Sequence, residues 1–312
     1  MPATTSASPD QTPDPTPEPT PAEPAEPAVE RRDTDQLLAD LATRLDASGV
    51  RLVALDMDGS LLDDAKQIPD GFWPVLDALV ARGVVVCPAS GRQYATLREQ
   101  FGRDDLTYVA ENGAIVVRRG EPVAVAGLAR ASARRAVDLV RGAVRDGADL
   151  GTVLCGVRSA YVERTDEAFL QHVRPYYRLL QDVDDLDAVD DEVLKVAVFD
   201  FGPAELGAGP LLAPLDGPDR VLVSGTHWVD VMGPDADKGH ALRWLQAELG
   251  ISSAQTMAFG DYFNDVGMLE AADWSFAMAN AHPDVRAIAR FIAPSNNDDG
   301  VVRTLRAAFS LP

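Results

Sequence analysis

Two hydrophobic rhythms alternate along most of this chain. Continuous apolar runs in RLVALD (51–56), VVVCPAS (84–90) and TMAFGD (256–261) read as buried strands. In PDGFWPVLDALVARG (69–83), RQYATLREQF (92–101) and KGHALRWLQAELG (238–250) apolar residues recur at helical spacing. Pro69 opens the first of these helices and Gly83 closes it. TYVAENGAIVV (107–117) reads as a strand that passes through a turn at Asn112-Gly113. Strands that alternate with helices and lack internal polar alternation predict a parallel sheet covered on both faces.

The middle of the chain reads differently. From about 118 to 233, half-buried strand patterns (EPVAVAG, TVLCGV, SAYVER, VLKVAVFDF, RVLVSGTHWVDVMG) surround helices such as SARRAVDLVRGAVRD (132–146). That predicts an antiparallel sheet with helices on one face. The first rhythm then resumes through NDVGMLEAA, SFAMAN, HPDVRAIA and RFIAPS. The expected fold class is α/β: a doubly wound, mostly parallel, Rossmann-like core over 34–117 and 234–312, interrupted by an inserted α+β domain over 118–233. No internal repeat interrupts this reading. TDQLLADLATRLDA (34–47), with Thr34 as its N-cap, predicts a first helix. Residues 1–33 are mostly Pro, Thr, Ala and Glu and can bury too little to offset their ordering entropy, so a disordered tail is expected there.

Composition narrows the partners. The 312 residues are 46% hydrophobic and 25% charged, ordinary for a globular chain with a sizeable core. A net charge of −21 argues against nucleic acid and anionic membrane surfaces. An anionic substrate would need a locally positive pocket. Only Cys87 and Cys155 occur, which excludes a disulfide scaffold or a cysteine-rich metal site and fits a reducing compartment. No apolar stretch reaches membrane-spanning length, and no basic region followed by an apolar one marks a signal peptide, so the cytoplasm is the expected location.

In an open parallel sheet, ligands bind beyond the carboxyl ends of the strands. There this chain places Asp56, Asp58, Ser90, the pair Asp237-Lys238, and Asp261, while GDYFND adds Asn264 and Asp265. Two carboxylates one residue apart behind a buried strand repel each other, so either the loop is solvated or a cation sits there. Oxygen donors without His or Cys suit a hard cation, and Mg²⁺ binds through one or two carboxylates plus substrate phosphate. With phosphate present, one aspartate could attack phosphorus and a second could exchange protons with the leaving oxygen and with water. Lys238, the Ser90 hydroxyl and nearby backbone N–H groups such as that of Gly91 could hold the phosphoryl oxygens.

Each signal has a plainer reading when taken alone. A D-x-D-G tetrapeptide is more often a solvated turn, and as a Ca²⁺ loop it fails because its twelfth position is Gln67. Lys238 alone reads as a surface lysine, Ser90 as a capping hydroxyl, and GDYFND as a turn with a helix cap. Arg92 could reach substrate or form a surface salt bridge, and Asn112 could serve only its turn. His282 reads as a cap at a helix start. His172, His227 and His240 lack zinc-ligand spacing. DVDDLDAVDDE (182–192) reads as a solvated loop rather than a second metal site.

In their order, DMDGS, PASGR, DADKGHAL and GDYFND resemble the four motifs of the haloacid dehalogenase (HAD) superfamily. AMANAHPDVRAIARFIAPSNNDDGVV resembles its Cof-type branch, whose members carry a large α/β cap between the second and third motifs. The likeness covers roughly residues 50–308. It implies Asp56 as nucleophile and Asp58 as acid/base. It further implies an Mg²⁺ site of the Asp56 carboxylate, the Asp58 backbone carbonyl and Asp261. Ser90 and Lys238 would hold the phosphoryl group, and Asn264 and Asp265 would support metal and lysine. Ser60 and Ser90 stand where many members have Thr, and both keep the hydroxyl. The expected function is a Mg²⁺-dependent phosphatase of a small phosphorylated metabolite. A phosphotransferase or mutase on the same core is the alternative. A phospho-accepting signalling module is the weaker third reading, since it needs neither an acid at Asp58 nor a large cap.

Overall fold

The computed structural model describes residues 49–312. The expected tail and the helix over 34–47 lie outside the described residues. Strands β1 (Leu52–Asp56) and β2 (Val85–Ala89) flank helix α1 (Phe72–Ala81), and helix α2 (Tyr94–Phe101) leads into β3 (Thr107–Ala110). A hairpin follows, β4 (Ile115–Arg118) and β5 (Glu121–Val125). Helix α3 (Arg130–Arg145) opens an inserted unit, which continues with β6 (Leu150–Gly156), β7 (Ala160–Val162), α4 (Glu167–Val173) and β8 (Leu180–Asp182). Strand β9 (Val193–Asp200), helix α5 (Ala208–Leu212) and the hairpin β10 (Arg220–Gly225) and β11 (Trp228–Met232) complete it. The chain then returns through α6 (Lys238–Leu249), β12 (Thr256–Gly260), α7 (Val266–Glu270), β13 (Trp274–Met278), α8 (Pro283–Ile288), β14 (Phe291–Ala293) and α9 (Gly300–Phe309).

Eight strands form one sheet in the order β14-β13-β12-β1-β2-β3-β4-β5, and six form a second in the order β10-β11-β9-β6-β7-β8. In the first, β1 pairs in parallel with β12 and β2, and β3, β13 and β14 keep that direction. Every residue of β1 is buried, as a central strand covered on both faces requires. Each large apolar side chain so buried stabilises by about 1.5–3 kcal/mol, which holds the end of β1, and with it Asp56, in place. The second sheet is antiparallel apart from the parallel pair β7/β8. Ala133, Ala136, Val137 and Val140 recur on one buried face of α3, within the cluster that contains Val196 and Val198 of β9.

One strand belongs elsewhere than expected. EPVAVAG reads by its pattern as part of the inserted unit, yet β5 hydrogen-bonds antiparallel to β4 at the edge of the eight-stranded sheet. The cause is a two-residue turn: Arg119 and Gly120 both adopt positive φ (54° and 80°), the geometry that folds a hairpin back on itself. An Arg-Gly pair is a weaker written signal for that turn than Asn-Gly. Among the described residues, no helix is long and apolar enough to cross a membrane.

Candidate active site

The carboxyl ends of β1, β2 and β12 converge, and the residues that end them build the site. Asp56 closes β1, with 5% of its surface exposed. Asp237 caps α6, accepting hydrogen bonds from the backbone N–H groups of Gly239 and His240. This cap places Lys238 in the first turn, and its ammonium reaches both Asp56 Oδ1 (2.6 Å) and Asp265 Oδ1 (2.7 Å). The other Asp265 oxygen accepts from the backbone N–H groups of Asp261 (2.9 Å) and Tyr262 (3.2 Å). Asp265 thus fixes the loop that carries Asp261 and orients the lysine at the same time.

Asp56, Asp261 and Asp265 each bring a carboxylate oxygen within 4.8 Å of the others. Among the described residues, Asp56 Oδ2 is buried without a hydrogen-bond partner. A buried, unpaired carboxylate oxygen is costly. Burial, followed by the charge of Asp265, pushes Asp56 up to about 8 despite the opposing pull of Lys238. Burial and Asp265 likewise push Asp261 up to about 7. One ammonium does not neutralise three carboxylates. An all-oxygen group with an orphaned oxygen fits a hard cation, which would restore the balance. Gly59 stands against this group because a Cβ there would lie 2.2 Å from Asp261 Oδ2, and its φ of +82° also favours glycine.

These raised values have a consequence for stability. Folded, cation-free protein keeps protons on Asp56 and Asp261 that an unfolded chain releases near pH 4. The folded state therefore binds the more protons between about pH 4 and pH 8, and its stability falls as pH rises through that window. Chelator-treated protein should show a Tm that declines from about pH 5 to about pH 8, and divalent cation should raise Tm most at the upper end. A Tm in chelator that is flat or rising across this range would contradict the crowding.

The other expected residues group differently. Ser90 is buried just beyond β2; its backbone N–H donates to the carbonyl of Val109 and its carbonyl accepts from the backbone of Asn112. Its hydroxyl accepts from the backbone N–H of Arg92 at 3.2 Å. Gly91 packs on Asn112, whose side chain lies 3.0 Å from where a Cβ would stand. Asp58 does not join the carboxylate group with its side chain. Arg92 grips it with two bonds, Nε to Oδ2 (3.0 Å) and Nη2 to Oδ1 (2.8 Å), and Lys66 adds a third contact at 2.9 Å. Burial raises its pKa, but the hydrogen bonds and charge of Arg92 and Lys66 outweigh that and hold it below the ordinary carboxylate value. Arg92 thus forms an ion pair, one of its two expected roles. Asn264 donates to Asn112 Oδ1 at 3.3 Å, so Lys238 takes its support from Asp265.

Away from this edge, His282 caps α8 as expected, accepting from the backbone of Asp284. His227 bonds the carbonyls of Asp200 and Gly202, and His172 stacks on Phe199. In the acidic run, Asp185 and Asp187 pair with Arg141, and Asp191 accepts from the Tyr161 hydroxyl.

Comparison with known proteins agrees with this geometry. A family profile of haloacid dehalogenase-like hydrolases matches residues 53–305. The chain belongs to that family. The HAD-like hydrolase is 33% identical over 265 residues to the 5-amino-6-(5-phospho-D-ribitylamino)uracil phosphatase YbjI of Escherichia coli, covering 81% of this chain and 94% of that protein. It is 26% identical to YitU of Bacillus subtilis, which bears the same activity name, covering 83% and 98% of the two chains. Among solved structures it is similar to SMU.1108c from Streptococcus mutans, with a TM-score of 0.73, 26% identity and coverage of 84% and 99%. A haloacid dehalogenase-like hydrolase from Bacteroides thetaiotaomicron shares the fold, with a TM-score of 0.74, 20% identity and coverage of 82% and 98%. The protein is thus an enzyme of the phosphatase kind. Proteins of this family use a metal ion, and the acidic group of Asp56, Asp261 and Asp265 fits one.

Four residues of this edge escaped the sequence reading: Lys66, Glu111, Lys195 and Asp230. Lys195 interrupts the apolar strand VLKVAVFDF and Asp230 interrupts WVDVM. A lone charge inside a buried strand is a signal of its own, because it must find a partner.

Proposed function

We propose that this enzyme hydrolyses a small phosphorylated metabolite, a sugar or polyol phosphate, with Mg²⁺ and through an aspartyl-phosphate on Asp56. One observation carries the reading. Asp56 has one oxygen held by Lys238 and the other buried and unpartnered beside Asp261. That is the arrangement of an oriented carboxylate: Lys238 fixes it, and its two oxygens would divide between the cation and phosphorus. Asp56, Asp261 and the backbone carbonyl of Asp58 would hold Mg²⁺, with Asp265 orienting Asp261 and Lys238 through its hydrogen bonds. When bound, the cation offsets the charge of the carboxylates and of the phosphoryl oxygens.

The chain's own groups do the rest. Asp56 attacks phosphorus and the ester oxygen leaves. Asp58 supplies a proton to that oxygen and later takes one from the water that hydrolyses the aspartyl-phosphate, returning Asp56. Arg92 and Lys66 favour the ionised form of Asp58, so it must loosen from them to carry a proton. A phosphoryl group held by Ser90, Gly91 and Lys238 gives those cations another anion to face. The two relatives named for a phospho-ribityl substrate support a phosphorylated polyol chain as the leaving side. Phosphate release from a panel of sugar, polyol and nucleotide phosphates is the test. Release is expected with Mg²⁺ and lost in excess chelator. Transfer to a second sugar without free phosphate would instead establish the phosphotransferase, and full activity in chelator would refute the metal site.

A further inference from the structure

Beyond the carboxylates lies a second buried ionic group, formed where the two sheets meet. Lys195 of β9 and Asp230 of β11 come from the inserted unit, and Glu111 from the turn after β3. The Lys195 ammonium is 3.0 Å from Glu111 Oε2 and 3.3 Å from Asp230 Oδ2, and it donates to the carbonyl of Gly91 at 3.3 Å. All three side chains are at least nine-tenths buried. Glu111 Oε1 has no hydrogen-bond partner among the described residues. Asn112 extends the group: its Nδ2 approaches Asp230 Oδ2 at 3.5 Å while its Oδ1 accepts from Asn264.

The turn that carries Glu111 and Asn112 touches every part of the phosphate-holding edge. The backbone N–H groups of Glu111 and Asn112 donate to the carbonyls of Arg92 (3.1 Å) and Ser90 (2.9 Å). A Cβ on Gly113 would stand 2.3 Å from the carbonyl oxygen of Asp237, so this turn abuts the start of α6 and Lys238. Glu111, Asn112 and Gly113 all take positive φ (50°, 56° and 95°). Such backbone is strained at the two non-glycine positions and persists only where its surroundings hold it. Here the surroundings include the inserted unit.

An apolar contact would join the two layers at lower cost, because desolvating three charges offsets much of their attraction. An ionic contact differs in being compatible with water when the layers part. Lys195 and Asp230 lie on neighbouring strands of one sheet, and Glu111 alone would be left to hydrate. We propose that Lys195 is a positioning residue for the phosphate-holding loop, fixing the Gly91 carbonyl and through it Ser90 only while the inserted unit is seated on the core. This deepens the proposed function and rests on it for the meaning of Ser90 and Gly91. The seat couples the inserted unit to the loop that would hold the phosphate.

The test replaces Lys195 with Met, close in length and uncharged. Two readouts are taken: the inhibition constant of inorganic phosphate, and hydrogen exchange of the amides of residues 90–93. A hydrogen bond to a charged group, once lost, corresponds to about a tenfold change or more, so Lys195→Met should weaken phosphate inhibition by about that factor. It should also speed exchange at 90–93 while β6 and β9 exchange as in the unaltered enzyme, and Lys195→Arg should recover part of both. Should Lys195→Met fail to fold, Lys195→Gln removes the charge and shortens the reach to the Gly91 carbonyl while keeping a polar side chain among the buried carboxylates; the same two changes are expected. Unaltered phosphate inhibition and unaltered exchange at 90–93 would overturn the positioning role and leave the group a structural joint. If the unaltered enzyme releases no phosphate from any substrate, the proposed function falls, and the exchange measurement still decides whether Lys195 orders the loop.

Discussion

Asp56→Asn is expected to reduce phosphate release to a trace, a loss on the order of 10⁴-fold or more, the scale seen when a nucleophile is removed. The amide keeps the shape of the side chain and can still accept from Lys238, which now holds Asp56 Oδ1 at 2.6 Å. It cannot form the acyl phosphate. The substitution should also stabilise cation-free protein near pH 8. Asp56 is the most upshifted of the crowded carboxylates, pushed to about 8 by burial and by Asp265, and its ionised form costs the fold more as pH rises. Loss of turnover together with a higher Tm in chelator separates removal of a nucleophile from damage to the fold. Turnover well above a trace in freshly purified Asp56→Asn would sink the covalent mechanism.

Lys238→Met should produce the largest loss of stability. The lysine is 1% exposed and contacts Asp56 and Asp265 at 2.6 and 2.7 Å. Burial lowers the pKa of such an ammonium, yet the charges of Asp265 and Asp56 outweigh it and hold Lys238 above its ordinary value. The attraction wins over desolvation here. Removing only the ammonium leaves the buried Asp56 and Asp265 side chains without their shared partner, which costs roughly 3–5 kcal/mol. Denaturant unfolding at neutral pH measures the loss directly. Activity should fall as well, since nothing else would then fix the Asp56 carboxylate. A Lys238→Met protein as stable as the unaltered enzyme at neutral pH would show that the lysine is not needed to neutralise the acidic group.

The chain's own pattern determined a good deal. Buried runs without alternation marked β1, β2 and β12 as central strands, and the rule that ligands gather at strand ends selected Asp56, Ser90 and Asp261 from many Asp and Ser residues and Lys238 from three lysines. Those signals are local, because burial on both faces and helix capping are both written within a dozen residues of the feature they specify. Asp237-Lys238 is such a case: the Asp caps α6, and the cap alone places the lysine in its first turn.

Only the tertiary structure decided which charge meets which. Lys238 finds Asp56 across 182 residues of chain, and Lys195 finds Gly91 across 104. Asp58 sits two residues from Asp56, yet its carboxylate turns to Arg92 and Lys66 rather than to the acidic group. Asn112, legible only as a turn residue, joins the inserted unit to the loop of Asn264. Residue types state what a side chain can bond. The partner is set by which strand ends the sheet order brings side by side, and a buried charge accepts whichever counter-charge that order supplies at three ångströms.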